Sequence, residues 1–329
     1  VLKRTDIKSN TKKFHEAAIL ANTVSKQNIN LDLQKIEEVA VEEFDIDVEE
    51  LGVQVIENDH ISDGIDDNFE IPDENKIITD IVVGDIFEIG VHRLLCGDSS
   101  KSEDVDRLFS GDKLDLFITD PPYGVNYEGK TKDKLKIEND RLSEEETHIL
   151  FANAFANAFA NAKAGASIYV TVPAGLLQLG FMRVMHEYKA LRQCMVWDKG
   201  QMVLGHSDYH YRHEPILYGW FNNGSHYFIN DRTKTTVLEF KKPIRNDKHP
   251  TMKPVELWCE LINNSTKKDW ICYDSFLGSG TTMVAAHQTG RRCFGIEIDP
   301  KYCEVILRRM VELDPSLVVK KNGVEISLQ

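Results

Sequence analysis

Beyond Val91 the apolar residues fall into two alternating rhythms. Short apolar runs ending at Gly, Pro or Asp read as strands: "VHRLLCGDS" (91–99), "LDLFITD", "ASIYVTVP", "QCMVWDKG", "EPILYGW", "DWICYDSF" and "RCFGIEID". The run "LDLFIT" has no polar alternation, as expected of a parallel strand covered on both faces. Between the runs, apolar positions recur at helical spacing in "SEDVDRLFS", "GLLQLGFMRVMHEY", "KPVELWCELINNST", "TTMVAAHQTG" and "KYCEVILRRMVEL". The segment "SEEETHILFANAFANAFANAKAG" opens with a capping box, Ser143 and Glu146, and its repeat sets Phe151, Phe155 and Phe159 four apart as a core-facing stripe. Repeated strand–helix units predict an α/β, doubly wound, mostly parallel sheet with ligands at the carboxyl ends of its strands.

The first part of the chain follows a different pattern. Residues 14–23 and 31–51 read as helices, the second with Leu31, Leu33, Ile36, Val39 and Val41 as its apolar stripe. From Glu57 to Asp80 the chain is acidic and rich in Asp, Asn, Pro and Gly, which reads as a linker or loosely packed arm. The expected division is a small helical amino-terminal region with acidic linker, 1–80, and a catalytic domain, 81–329.

Charge sharpens that division. The net charge is -14, yet residues 31–80 hold 18 acids against two lysines, so the remaining residues sum to about +2. A near-neutral body leaves room for a basic face, and "GKTKDKLK" (129–136) and "KKPIRNDKHPTMK" (241–253) could supply it. No apolar run reaches the roughly 20 residues of a membrane span, and no signal peptide is read before the first charged residues. The six cysteines are scattered without a Cys-x-x-Cys pair, so buried free thiols and a reducing cytoplasm are expected, with no metal site.

At 271–282 an apolar strand runs into "SFLGSGTT". Gly278 and Gly280 would let backbone approach a ligand at the start of the next helix. A phosphate-binding loop would need a Lys that is missing, and Met283 stands where a dinucleotide fingerprint needs its third Gly. Glu297, 19 residues after Gly278 and at the tip of the next strand, suits an acceptor for ribose hydroxyls. A tight turn and a structural Glu are the alternatives for each feature alone, and together they point to a nucleoside site.

Three motifs carry a resemblance: Asp-Pro-Pro-Tyr at 120–123, Phe-Leu-Gly-Ser-Gly-Thr-Thr at 276–282, and His-Pro-Thr-Met-Lys-Pro at 249–254. Together, over residues 83–310, the chain resembles the amino-group DNA methyltransferases that use S-adenosylmethionine. Its motif order, with the tetrapeptide first, is that of the circularly permuted β class. The resemblance implies a Rossmann-like class I methyltransferase fold. It also implies that Asp120 and the Pro121 carbonyl accept hydrogen bonds from an exocyclic base amine, localising its lone pair. Pro122 removes a competing donor, and Tyr123 stacks on a base flipped from the duplex. For the cofactor it implies Asp98 at the adenine amine, Asp274 and Phe276 beside the methionine and adenine parts, the loop of Gly278, Ser279, Gly280 and Thr281 around it, and Glu297 on the ribose. His249, Thr251 and Lys253 then lie near the methionine end, Lys253 pairing with its carboxylate and His249 alternatively a helix-start cap. Cytosine carbon-5 chemistry needs a Pro-Cys dipeptide, which this sequence lacks.

The product expected is N6-methyladenine in double-stranded DNA, as in restriction–modification. Cytosine-N4 methylation and a catalytically silent DNA-binding module are the alternatives. Target recognition falls within 200–248, where the chain is short for the family. Candidate DNA contacts are Lys130, Lys132, Lys134, His206, Tyr209, Arg212, Lys241, Lys242, Arg245 and Lys248. The amino-terminal region faintly resembles the closing helices of a ParB-like domain, and partner binding, a homodimer or capping of the sheet are the roles open to it.

Overall fold

A computed structural model describes residues 64–67, 69–73, 76–124, 142–202, 208–221, 224–240 and 253–328. The chain divides into two units, Val1–His60 with Asn230–Thr235, and Ile61–Ile229 with Thr236–Gln329. Of the first unit only Asn230–Thr235 is described, a turn in which Asp231 accepts from the Thr233 amide and hydroxyl. The helices expected at 14–23 and 31–51 lie outside the described residues, and residues 64–80 belong to the second unit.

That second unit carries an eleven-stranded sheet: β1 Ile86–Ile89, β2 His92–Cys96, β3 Leu114–Thr119, β4 Ala162–Thr171, β5 Leu191–Asp198, β6 His213–Trp220, β7 Val237–Glu239, β8 Ile271–Asp274, β9 Arg292–Glu297, β10 Val319–Lys321 and β11 Val324–Ile326. Their spatial order is β11-β10-β1-β2-β9-β8-β3-β4-β6-β5-β7. The sheet is mixed. Its centre, β2-β9-β8-β3-β4, is parallel, while β1, β10 and β11 at one side and β6 at the other pair antiparallel. The β1 and β10–β11 pairings were not expected, because runs of three or four residues are too short to show a period.

Among the described residues six helices cover the sheet: α1 Ser102–Phe109, α2 Glu144–Ala160, α3 Gln178–Glu187, α4 Val255–Ser265, α5 Thr281–Gln288 and α6 Pro300–Leu313. Every residue of β3 is buried, with Leu116 and Ile118 packing among residues of α4, α5 and α6, and Phe117 among those of α1, α2 and α3. Phe151 and Phe155 are buried beside Phe181 and Phe221, and Phe159 packs half-buried at the end of the stripe. The capping box at the start of α2 forms as expected, Glu146 N donating to Ser143 Oγ and Ser143 N to Glu146 Oε2.

The topology determines where a site can form. From β8 the chain crosses through α5 to β9, whereas from β3 it crosses through α2 to β4 on the opposite side. Neighbouring parallel strands that depart in opposite directions make a switch point, where a crevice opens at their carboxyl ends. Asp120 follows β3 and the Gly278 loop follows β8, so both motifs stand at that crevice.

Candidate active site

Four elements converge on Asp120. It leaves the tip of β3, with Thr171 at the tip of the adjacent β4. Antiparallel β6 brings Glu214, near its start, to the same edge, and Lys199 follows directly on β5. The Asp120 carboxylate accepts from Thr171 Oγ1 and from Tyr123 OH (3.1 Å) on Oδ1, and from Lys253 Nζ (2.7 Å) on Oδ2. Lys253 also lies 2.8 Å from Glu214 Oε1, and Lys199 2.7 Å from Glu214 Oε2. The Tyr123 hydroxyl sits nearer still to Glu214 Oε1 (2.8 Å) than to Asp120, so its single proton is held between two carboxylates.

Two carboxylates and two ammonium groups make a cluster without net charge, which is how four ionised side chains persist where water is scarce. Burial alone would raise the Glu214 pKa, but Lys253 and Lys199 outweigh it and bring the group down to about 2. Burial likewise disfavours a charged Lys253, yet Asp120 and Glu214 prevail and hold its ammonium above the ordinary lysine value. The Tyr123 phenol is pushed well up, first by burial and then by the two carboxylates, so it stays a neutral donor.

This arrangement leaves Asp120 one use. A carboxylate offers about four acceptor positions, and three are taken, which leaves one on Oδ2 beside Lys253. Pro121 is buried, and among the described residues none donates to its carbonyl.

On the β8 side of the crevice, Gly278 (φ +55°) has nothing within 4 Å of where a Cβ would stand, whereas Gly280 (φ +89°) is closed in by Ile306. The Gly278 amide donates to Glu297 Oε2 (2.8 Å), and Asp299 N donates to Oε1 (2.9 Å). Burial lifts the Glu297 carboxyl to about 7 despite these amides. Asp98 stands beyond β2, next to Glu297 across the pairing of Cys96 with Glu297, and accepts from the Ser100 amide and hydroxyl. An open glycine cradle flanked by two acids at adjacent strand tips suits a nucleoside with free hydroxyls and an amine.

Several expected residues behave differently. Asp274, read as a ligand contact, is only 2% exposed, and its oxygens accept from Thr119 Oγ1, Phe276 N and Thr282 Oγ1. It ties β3, β8 and α5 together beneath the crevice, and its burial raises its pKa to about 6. Lys253, read as a partner for the cofactor carboxylate, is bound to Asp120 and Glu214. Ser279 and Thr281 turn their oxygens to Arg309. Phe276 is half-buried at the loop. Arg212, read as a DNA contact, is engaged in a bidentate pair with Asp198, while Tyr209 is 91% exposed. His249, Thr251, Lys130, Lys132, Lys134, His206, Lys241, Lys242, Arg245 and Lys248 lie outside the described residues.

Thr171, Lys199 and Glu214 were not anticipated. The signal was present: Lys199 closes the run "CMVWDK" and Glu214 opens "EPILYGW", charged residues at strand tips like Asp120 and Glu297. Among the described residues no group of His, Cys, Asp or Glu could hold a metal ion, and no helix is long and apolar enough to cross a membrane. The cysteines described are free, and all but Cys194 are buried.

Comparison with known proteins gives this geometry its context. The type II methyltransferase M2.DpnII of Streptococcus pneumoniae is 27% identical over 223 residues, 60% of this chain and 83% of that protein. M2.MboI of Moraxella bovis is 43% identical over 70 residues, so the chain spans only 26% of that relative's length. The M1.HpyAVI–SAM complex shares the fold with a TM-score of 0.50 at 19% identity, covering 66% of this chain and 98% of that one. The cytosine-N4-specific PvuII DNA methyltransferase shares it with a TM-score of 0.50 at 17% identity, covering 66% and 86%. The DNA methylase family model for N6 and N4 methyltransferases matches residues 114–308, from β3 into α6 and across both sides of the crevice, and the chain belongs to that family.

Proposed function

We propose that this protein transfers a methyl group from S-adenosylmethionine to the N6 amine of adenine in double-stranded DNA. The observation that carries the reading is the Asp120 carboxylate, held at the switch point by Thr171, Tyr123 and Lys253 with one acceptor position left. When bound, the cofactor supplies an electrophilic methyl on a sulfonium. Asp120 and the Pro121 carbonyl accept the two amine hydrogens, so the nitrogen lone pair withdraws from the aromatic ring and turns toward that methyl. As the N–C bond formed, the C–S pair would return to sulfur, and the extra amine proton would leave along the Asp120 hydrogen bond. Fixed donors and acceptors need no reorganisation at that moment, which is where such sites gain most of their rate. Tyr123 keeps its hydroxyl between Asp120 and Glu214 and offers its ring to the flipped base.

Gly278, Glu297 and Asp98 form the nucleoside end of the cofactor site. The Gly278 cradle would be filled by any side chain, and Glu297 retains acceptor capacity beyond its two amides. Asp rather than Ser at position 120 favours adenine over cytosine.

The test is methyl transfer from labelled S-adenosylmethionine to DNA, followed by digestion to nucleosides. Wild-type protein should yield N6-methyladenine, and Asp120→Ala should yield none while binding cofactor normally. N4-methylcytosine as the product would overturn the adenine assignment, and near-normal turnover by Asp120→Ala would overturn the mechanism.

A further inference from the structure

We propose that Asp67, far ahead of the catalytic motifs in the chain, is a positioning residue for the cofactor loop, acting through Arg309. The proposal rests on the reading of residues 278–281 as that loop. Arg309 projects from α6 and is 1% exposed. One edge of its guanidinium grips Asp67, Nε to Oδ2 at 2.5 Å and Nη2 to Oδ1 at 2.9 Å. Its other nitrogen, Nη1, donates to Ser279 O (3.0 Å) and lies 3.4 Å from Ser279 Oγ and 3.3 Å from Thr281 Oγ1.

A guanidinium is planar and rigid, so fixing one edge aims the other. What it aims at needs holding. Ser279 lies between two glycines of positive φ, a stretch of backbone with few steric limits of its own. A hydrogen bond to the Ser279 carbonyl restricts rotation of the peptide joining Ser279 to Gly280. Asp67 supplies the counter-charge that lets a cation stay buried at that carbonyl, because an unpaired one would turn toward water.

The segment bearing Asp67 is itself anchored. Phe69 and Ile71 pack on Val305, and the Arg309 guanidinium lies 5.9 Å from the Phe69 ring centre. The Gln288 side chain bonds both the amide and the carbonyl of Ile65, and Thr79 donates to Glu304. The described residues of the stretch read from sequence as a linker, 64–67, 69–73 and 76–80, therefore form a strap along α5 and α6. Asp67 and Arg309 both fall outside the segment matched by the family model, so family membership assigns neither.

The test uses full-length protein, calorimetric titration with S-adenosylmethionine, and hydrogen exchange over 278–282. Asp67→Asn should raise Kd and KM for S-adenosylmethionine by about tenfold, leave kcat at saturating cofactor unchanged, and speed exchange in the loop. The double variant Asp67→Leu, Arg309→Met replaces a buried ion pair with apolar groups, so its Tm should match or exceed wild type. Its cofactor affinity should nevertheless stay weak, since Ser279 has lost its donor. Wild-type affinity and exchange in Asp67→Asn would overturn the proposal, as would recovery of affinity together with Tm in the double variant. Gly278→Val separates the two readings: normal cofactor binding by that variant would sink the loop assignment itself, whereas its loss beside an unaffected Asp67→Asn would sink only the strap's role.

Discussion

Lys253 Nζ lies 2.7 Å from Asp120 Oδ2 and contributes a charge at the atom with the spare acceptor position. In this structure it therefore stands with Asp120 and Glu214. Its removal leaves Asp120 and Glu214 facing each other across the Tyr123 hydroxyl with only Lys199 to balance them. Lys253→Met should lower kcat by about 100-fold or more, the scale of losing one fixed charge in a preorganised site. KM for S-adenosylmethionine should hardly change. A large rise in KM with kcat preserved would return Lys253 to the cofactor carboxylate, the role its motif suggests.

Glu214 ties that charge cluster to the fold. Its pKa is depressed to about 2 from an ordinary 4.5, so its ionised form is favoured in the native state. The stability it contributes is present above pH 4.5 and is lost as pH falls from 4.5 toward 2. Glu214→Gln keeps an acceptor for Tyr123 but leaves two lysines against one carboxylate. At neutral pH it should cost about 3–5 kcal/mol, the penalty for breaking a buried pair. Denaturant midpoints for wild type and variant should converge below pH 4.5. A difference that stays constant with pH would show that the charge of Glu214 is not what stabilises.

The sequence announces the parallel centre because β3, β8 and β9 are apolar on both faces, and a Pro, Ser or acid stops each one abruptly. It does not announce that β6 runs antiparallel, since direction leaves no mark on the composition of a buried strand. That reversal is what carries Glu214 to Asp120, so half of the charge cluster showed only as charged residues at strand ends while the tetrapeptide was plain. The burial of Asp274 was hidden for a related reason. An acid at a strand tip faces ligand or interior according to its neighbours, and the hydroxyls of Thr119 and Thr282 draw this one inward. The described residues of 64–79 looked like a linker because the apolar ones, Ile65, Phe69, Ile71, Ile77 and Ile78, have no period. Packing of Phe69 and Ile71 on Val305, with the pairing of Asp67 and Arg309, gives the segment its place.

Binding to DNA should follow the chain's uneven charge. With residues 31–80 contributing -16 and the rest of the chain about +2 to the net -14, phosphate contacts must come from local basic runs. Each phosphate neutralised should contribute about -0.9 to the slope of log K against log salt. Replacing Lys241, Lys242 and Arg245 together should flatten the slope by up to about 2.7 units if all three touch phosphate, and weaken binding to all sequences alike. Fluorescence anisotropy across a salt series measures it. A slope unchanged in the triple variant would place the contacts elsewhere.

Glu297 gives the cofactor site a pH dependence. Burial lifts its carboxyl to about 7, while the amides of Gly278 and Asp299 each occupy one of its oxygens. Accepting from ribose hydroxyls calls for the ionised form, in which each oxygen keeps a free lone pair. Affinity for S-adenosylmethionine should be flat above pH 7 and fall by up to about tenfold per unit below it. Folding of the free protein has the opposite sign. The native state holds this proton up to about pH 7 and the unfolded chain releases it near 4.5, so the group's contribution to stability fades as pH rises between those values. Glu297→Gln should weaken binding at neutral pH and remove the slope, leaving the fold slightly more stable at pH 8. Calorimetric titrations from about pH 5.5 to 8.5 test this. A variant that binds as tightly as wild type, or one that keeps the wild-type slope, would show that Glu297 does not receive the ribose.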